Sequence, residues 1–329
     1  METVLSGIRS TGNLHLGNYF GAVRNFVKMQ HEYNCYFFIA DLHSLTTHPK
    51  PENLHDNIRK VLSEYIACGI DPEVATIYIQ SDVPEISQLY LLLNMNAYIG
   101  ELERTTTFKE KIRKQPENVN AGLLTYPVLM CADIIIHNAN KVPVGKDQEQ
   151  NLEMARKFAK RFNHIYNVDY FTLPEPFNFG SDLVKVPGLD GTGKMGKSEG
   201  NGIYLIDEPS VIRKKVMRAV TDAGPEQPNS TKPEPVQNLF YLLELMSEPD
   251  TVAHFEQAYN DCSIRYGDLK KQLAEDIIQF TTPYRERILE IYNDSEYLSK
   301  VVKNGANRAR ESASKTLREV REIIGYKSF

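Results

Sequence analysis

Short apolar runs alternate with one-sided periodic stretches through the first part of the chain. Thr3 to Ile8, Tyr36 to Ala40, Ala75 to Ile79 and Val142 to Val144 are bounded by turns and read as strands buried on both faces. Between them, Pro51 to Cys68 places Leu54, Ile58, Val61, Leu62, Tyr65 and Ile66 on one helical face. Gln148 to Phe162 does the same with Leu152, Ala155, Phe158, Ala159 and Phe162. Gly122 to His137 also reads as a helix, with Tyr126, Met130 and Asp133 on a shared face. Such alternation predicts an α/β fold on a doubly wound parallel sheet. After about residue 203 the strand signal fades. Val236 to Met246, Thr251 to Tyr259, Gly267 to Ile291 and Ser295 to Ile324 read as helices, with a kink or break expected at Pro283. The prolines between Ala223 and Pro235 mark a loop.

Composition narrows the class. At 329 residues, with 41% hydrophobic and 25% charged, the chain is in the range of a soluble globular protein of one or two domains. No membrane-length apolar run or signal segment is visible, so a cytoplasmic location and no membrane partner are expected. Cys35, Cys68, Cys131 and Cys262 show no CxxC spacing, which argues against a zinc site and a disulfide framework. A net charge of −5 disfavours a histone-like binder but leaves room for a local basic patch.

Two glycine-rich loops carry the candidate chemistry. In the first, Gly12 and Gly17 flank Asn13-Leu14-His15-Leu16 after the first strand, and Asn18 opens a helix to about His31. A helix N-terminus favours an anion. His15 has a hydrogen bond to offer a phosphate oxygen, and Gly17 lets a flat base or ribose approach the backbone. The spacing matches neither GxxxxGK[ST] nor GxGxxG. The second loop, Leu189 to Asn201, holds Lys194, Lys197 and Ser198 among six nearby glycines. It reads as a mobile segment whose lysines stabilise charge on a polyphosphate. A plain strand–turn–helix joint and a solvated basic loop are the structural alternatives.

Together the loops resemble the two signatures of class I aminoacyl-tRNA synthetases. His15-Leu16-Gly17-Asn18 stands for the first, and Lys194-Met195-Gly196-Lys197-Ser198 for the second, with Gly196 at a usual serine. Tyr98 to Lys111, Gly122 to Ile135 and Val142 to Asn151 are similar to the tryptophanyl-tRNA synthetases, as are the opening stretch and Tyr33 to Thr46. The similarity is strongest from Leu5 to about Asn201 and weaker in the C-terminal helices.

The resemblance implies a Rossmann-like catalytic domain over residues 1–203, with a connecting insertion near 103–122, and an α-helical C-terminal domain over 204–329 that binds the anticodon and whose last helix packs back. It implies tryptophan–tRNA ligation from L-tryptophan, ATP with Mg²⁺, and tRNA(Trp), by a homodimer. His15, Asn18, Lys194 and Lys197 would be catalytic. Arg9, Ser10, Thr11, Gly17, Gly145, Lys146, Asp147, Val186, Met195, Gly196 and Ser198 would join them at ATP. Asp133, Tyr126, Met130, His43, Gln148 and Leu5 would hold tryptophan, with Lys109 and Lys111 toward the phosphates or the tRNA end. Physically, an apolar face interrupted by the Asp133 carboxylate suits indole, whose one N–H needs one acceptor. The sister tyrosyl enzyme, and a catalytically silent regulator binding tryptophan or RNA, are the rival readings. The chain itself contains no tryptophan, which would let it be made when that amino acid is scarce; chance is the plain alternative.

Overall fold

The computed structural model describes residues 1–145, 148–177, 184–191, 193–197 and 199–326. Among them, β1 (Thr3–Arg9), β2 (Asn34–Ala40), β3 (Thr76–Ile79), β4 (Lys141–Pro143) and β5 (Glu175–Phe177) form one parallel sheet in the order β3-β2-β1-β4-β5. Chain order reverses across β1, which pairs with both β2 and β4. Alternate residues feed two cores, as the period of a strand requires. Val4, Phe37, Ile39 and Ile77 face one layer, and Leu5, Tyr36, Phe38 and Tyr78 the other. The fourth and fifth strands are short, and β5 falls where sequence periodicity gave no strand signal.

After β1 come α1 (Leu16–Asn18), a π-helical turn (Tyr19–Val23) and α2 (Arg24–Met29). Their N-cap is His15, so Asn18 lies inside the first turn instead of opening the helix. Helices α3 (Asp41–Ser44) and α4 (Pro51–Ala67) follow β2. Between β3 and β4 lie α5 (Pro84–Asn94), α6 (Ile99–Leu102), α7 (Thr106–Lys114), α8 (Ala121–Leu124) and α9 (Tyr126–Ile136). The expected single helix over Gly122 to His137 is thus two, restarting at Tyr126 because Pro127 has no N–H to continue the ladder. Its pocket face, on α9, is intact. Helix α10 (Glu149–Tyr166) joins β4 to β5.

Beyond residue 203 the described elements are helices: α11 (Pro209–Met217), α12 (Glu234–Met246), α13 (Pro249–Asn260), α14 (Tyr266–Asn293) and α15 (Ser295–Ile323). Pro283 does not break α14. In the turn before it, the Thr281 and Thr282 hydroxyls bond the Ile277 and Ile278 carbonyls at 2.8 and 2.7 Å. Helix α15 runs along the free edge of the sheet. Leu298 and Val301 enter one core, and Ala309, Ala313, Leu317 and Val320 the other. It crosses β3 at Gly305, where a Cβ would sit 1.6 Å from the Ile77 carbonyl oxygen. No described helix is long and apolar enough to cross a membrane.

Candidate active site

The carboxyl ends of β1, β2 and β4 meet where strand order reverses, the place where open α/β sheets bind ligands. A cavity of about 250 Å³ opens there. Leu5 from β1, His43 from α3 and Tyr126, Met130 and Asp133 from α9 line it, with Gly145 and Gln148. Much of the wall is apolar, and among the described residues Asp133 is its one carboxylate. Asp133 is fully buried, and both its oxygens are engaged. Oδ2 lies 2.8 Å from His43 Nε2, and Oδ1 accepts from Gln80 Nε2 at 2.7 Å. Burial pushes its carboxyl up, while the hydrogen bonds from His43 and Gln80 oppose the shift. A carboxylate has about four acceptor positions, so room remains for one more donor. Gln80 escaped the sequence reading. Its signal was its place directly after the third apolar run, at the ligand end of a parallel strand.

Cations gather beside the cavity. Arg9 ends β1 and lines the cavity, yet its buried Nε and Nη2 have no hydrogen-bond partner among the described residues. The buried Lys111 Nζ also lacks one, and lies 3.1 Å from the centre of the Tyr126 ring. Burial, and next the Arg9 charge, push its amine down to about 7. Orphaned buried cations are costly unless an anion completes them. Lys109 on α7 has no such contact described.

The first loop is tightly built. His15 Nδ1 accepts from the Asn18 backbone N–H, and Asn18 Oδ1 accepts from the His15 N–H, both at 3.2 Å. Because Nδ1 accepts, the ring proton is on Nε2, a donor. Burial, then Lys197 and Lys194, push this imidazole down to about 4, so it is neutral at pH 7. Gly17 has a reason beyond ligand approach. A Cβ there would lie 2.9 Å from the His15 ring and 3.4 Å from Met195 Cβ. Ser10 is buried, its hydroxyl donating to Ser44 at 2.9 Å, whereas Thr11 is exposed at the turn.

The lysine loop is docked on the first, not splayed into solvent. Lys197 Nζ donates to the Gly12 carbonyl at 2.7 Å. Buried Met195 donates its N–H to the Val186 carbonyl at 2.9 Å, and Lys194 bridges Pro187 while its side chain is exposed. Asn201, another residue missed from sequence, is the post of this turn. Its Oδ1 accepts from Gly196 N–H at 3.0 Å, and its Nδ2 donates to Asp190 at 3.1 Å. A serine Cβ at Gly196 would come within 3.1 Å of Glu199 Cγ, so the glycine suits this packing. Lys146, Asp147 and Ser198 lie outside the described residues.

A family profile described as tRNA synthetases class I (W and Y) matches residues 2–282. The chain belongs to this family. The class I synthetases similar to it include the tryptophan–tRNA ligase of Porphyromonas gingivalis, 71% identical over 99% of this chain and 100% of that one. The tryptophan–tRNA ligase of Clostridium tetani is 42% identical over 99% and 96%. The tryptophanyl-tRNA synthetase of Campylobacter jejuni, solved in complex with ADP and tryptophan, superposes with a TM-score of 0.89 at 32% identity, covering 98% of this chain and 99% of that one.

Proposed function

We propose that the chain is a tryptophan–tRNA ligase, an enzyme that activates L-tryptophan with ATP and transfers it to tRNA(Trp). One observation carries this reading. A largely apolar cavity, with Asp133 as its carboxylate among the described residues, is lined by Arg9 and by Tyr126, whose ring carries Lys111; the buried Arg9 Nε and Nη2 and Lys111 Nζ have no hydrogen-bond partner among the described residues.

In the first step a tryptophan carboxylate oxygen attacks the α-phosphorus of ATP. The bond to the bridging oxygen breaks, giving tryptophanyl-adenylate and pyrophosphate. Asp133 takes the indole N–H and is itself oriented by His43 and Gln80. Tyr126, Met130 and Leu5 enclose the ring, and Gln148 lies at the amino-acid end. Arg9, Lys111, Lys194 and Lys197 stabilise the charge that builds on the leaving phosphates, with His15 Nε2–H and Asn18 as neutral donors. The protein does little covalent work here; placement and fixed charge carry the rate. In the second step the 2′-OH of the terminal tRNA adenosine attacks the tryptophanyl carbonyl carbon; the ester bond forms, the bond from that carbon to the phosphate oxygen breaks, AMP leaves, and the hydroxyl proton is released.

Mg²⁺ belongs to the proposal as an ion carried on the phosphate oxygens, where it neutralises charge. The described residues offer no cluster of three His, Cys, Asp or Glu side chains for it. Residues 1–203 form the catalytic domain and 204–329 the anticodon-binding one in this reading, and the enzyme works in the cytoplasm. A homodimer is supported by a band of exposed apolar side chains, Leu91, Met95, Tyr98 and Ile99, between 57% and 75% accessible, on α5, α6 and the turn between them.

Exchange of labelled pyrophosphate into ATP tests the function, with tryptophan, tyrosine and phenylalanine side by side. Exchange with tryptophan alone is expected. Exchange driven by tyrosine, or none with any of the three, overturns the reading.

A further inference from the structure

Glu64 has a place in the site that neither loop signature explains. It is on α4 and is only 1% exposed. Both its oxygens lie on one backbone group, the Leu14 N–H, at 3.0 and 2.9 Å. Burying a carboxyl to satisfy one amide is a costly arrangement, since a neutral acceptor would serve that amide. Burial pushes this carboxyl up to about 8, while the Leu14 N–H and then the Lys197 charge oppose the shift.

The surroundings give the carboxyl a purpose. Leu14 directly precedes His15. On its other side the segment is pinned by the strand-like pairing of His15 with Tyr204: Leu16 N–H donates to the Ile203 carbonyl at 2.9 Å, and Leu205 N–H to the Leu14 carbonyl at 3.0 Å. Two residues before Leu14, the Gly12 carbonyl takes Lys197 Nζ. The turn from Gly12 to His15 is therefore gripped at Gly12 by the lysine, at Leu14 by Glu64, and around His15 by the 203–205 segment. Burial lowers the Lys197 amine most and the Arg9 charge lowers it further, while Glu64 raises it only when ionised.

We propose that Glu64 is a positioning residue for tryptophan activation, holding the Gly12–His15 turn so that His15 and Lys197 meet the polyphosphate together. The proposal rests on the ligase reading. Its test is pyrophosphate exchange by Glu64→Ala, Glu64→Gln and His15→Ala, alone and combined. Glu64→Ala is expected to lower kcat about thirtyfold or more with KM for tryptophan within about twofold, because the tryptophan cavity does not include the turn. Glu64→Gln, which keeps an acceptor for Leu14, should recover most of that loss. On the His15→Ala background, Glu64→Ala should cost less than about threefold more. Full multiplicative losses, a matching rise in KM for tryptophan, or a Gln variant as poor as Ala overturns the proposal. Should the Ala variant fail to fold, Glu64→Asp withdraws the acceptor by one methylene and is expected to give a smaller loss confined to kcat. A lowered melting temperature with wild-type kcat in that variant also overturns it. Wild-type exchange is the separate check on the ligase reading: if the wild type exchanges and the Glu64 variants match it, only Glu64's role falls.

Discussion

The two halves of the site bury charged groups of opposite sign in different settings. Around the cavity, each oxygen of the Asp133 carboxylate has a partner, His43 or Gln80, before any ligand arrives, while the buried His43 Nδ1 and Gln80 Oε1 have none among the described residues. On the proposed phosphate side, Arg9 Nε and Nη2 and Lys111 Nζ are buried with no hydrogen-bond partner among the described residues. A carboxylate held by two partners keeps one geometry and punishes a ligand that leaves its remaining acceptor position unpaired, which is how a pocket selects. An unsatisfied set of cations holds free energy that an anion releases, and releases most when charge peaks in the transition state. In the proposed function, selection and acceleration fall to neighbouring regions joined at Arg9, which lines the cavity, and Tyr126, which lines it and carries Lys111 on its ring.

Removing a cation should strike only the second half. Lys197→Ala is expected to lower the exchange kcat by about a hundredfold to a thousandfold, the size of one lost oxyanion-type donor. Tryptophan affinity should be nearly unchanged. It is readable from the ligand's own fluorescence, because the chain contains no tryptophan. Equal losses in kcat and in affinity would erase the division between the halves.

The converse change is Asp133→Ala. Discrimination between tryptophan and phenylalanine, as the ratio of kcat/KM values in exchange, should fall by about a hundredfold, since no buried acceptor is then left unpaired by phenylalanine. Unchanged discrimination would mean the indole N–H is read by another group.

The smallest effect is a proton count. The Lys111 amine is held near 7, far below the ordinary lysine value of 10.5. An amine so depressed is more protonated in the unfolded chain than in the native one between those values, so stability of the free protein should rise with pH across that window. A bound polyphosphate restores the ammonium. Binding of a non-hydrolysable ATP analogue at pH 8 should then take up roughly half a proton or more, by calorimetry in buffers of differing ionisation enthalpy. Lys111→Met should remove that uptake; an uptake that survives would show that the depressed cation is elsewhere.

Much of this was legible in order along the chain. The buried strands, the amphipathic helices and the two loops stand out because each is set by neighbours within a few residues. Sequence also marked Asp133 as a carboxylate inside an apolar stretch, and His15 and Lys197 by their glycine settings. The break at Thr125 and the continuity through Pro283 were less legible, because one proline is decided by its own missing N–H and the other by threonine hydroxyls in the turn before it. Gln80 and Asn201 looked like ordinary polar residues at segment ends.

The linear order of residues determined the α/β character and the helical second half, since local periodicity and steric preference suffice for those; the pairing of a histidine loop with a lysine loop came from the resemblance of their motifs to the two synthetase signatures. Only the tertiary structure decided which polar groups meet. Asp133 and Gln80 are 53 residues apart, Leu14 and Glu64 are 50, and Gly12 and Lys197 are 185. Each pair forms because the sheet and its helices bring two distant backbones within hydrogen-bond reach, and burial then leaves each donor no acceptor but the one the fold supplies.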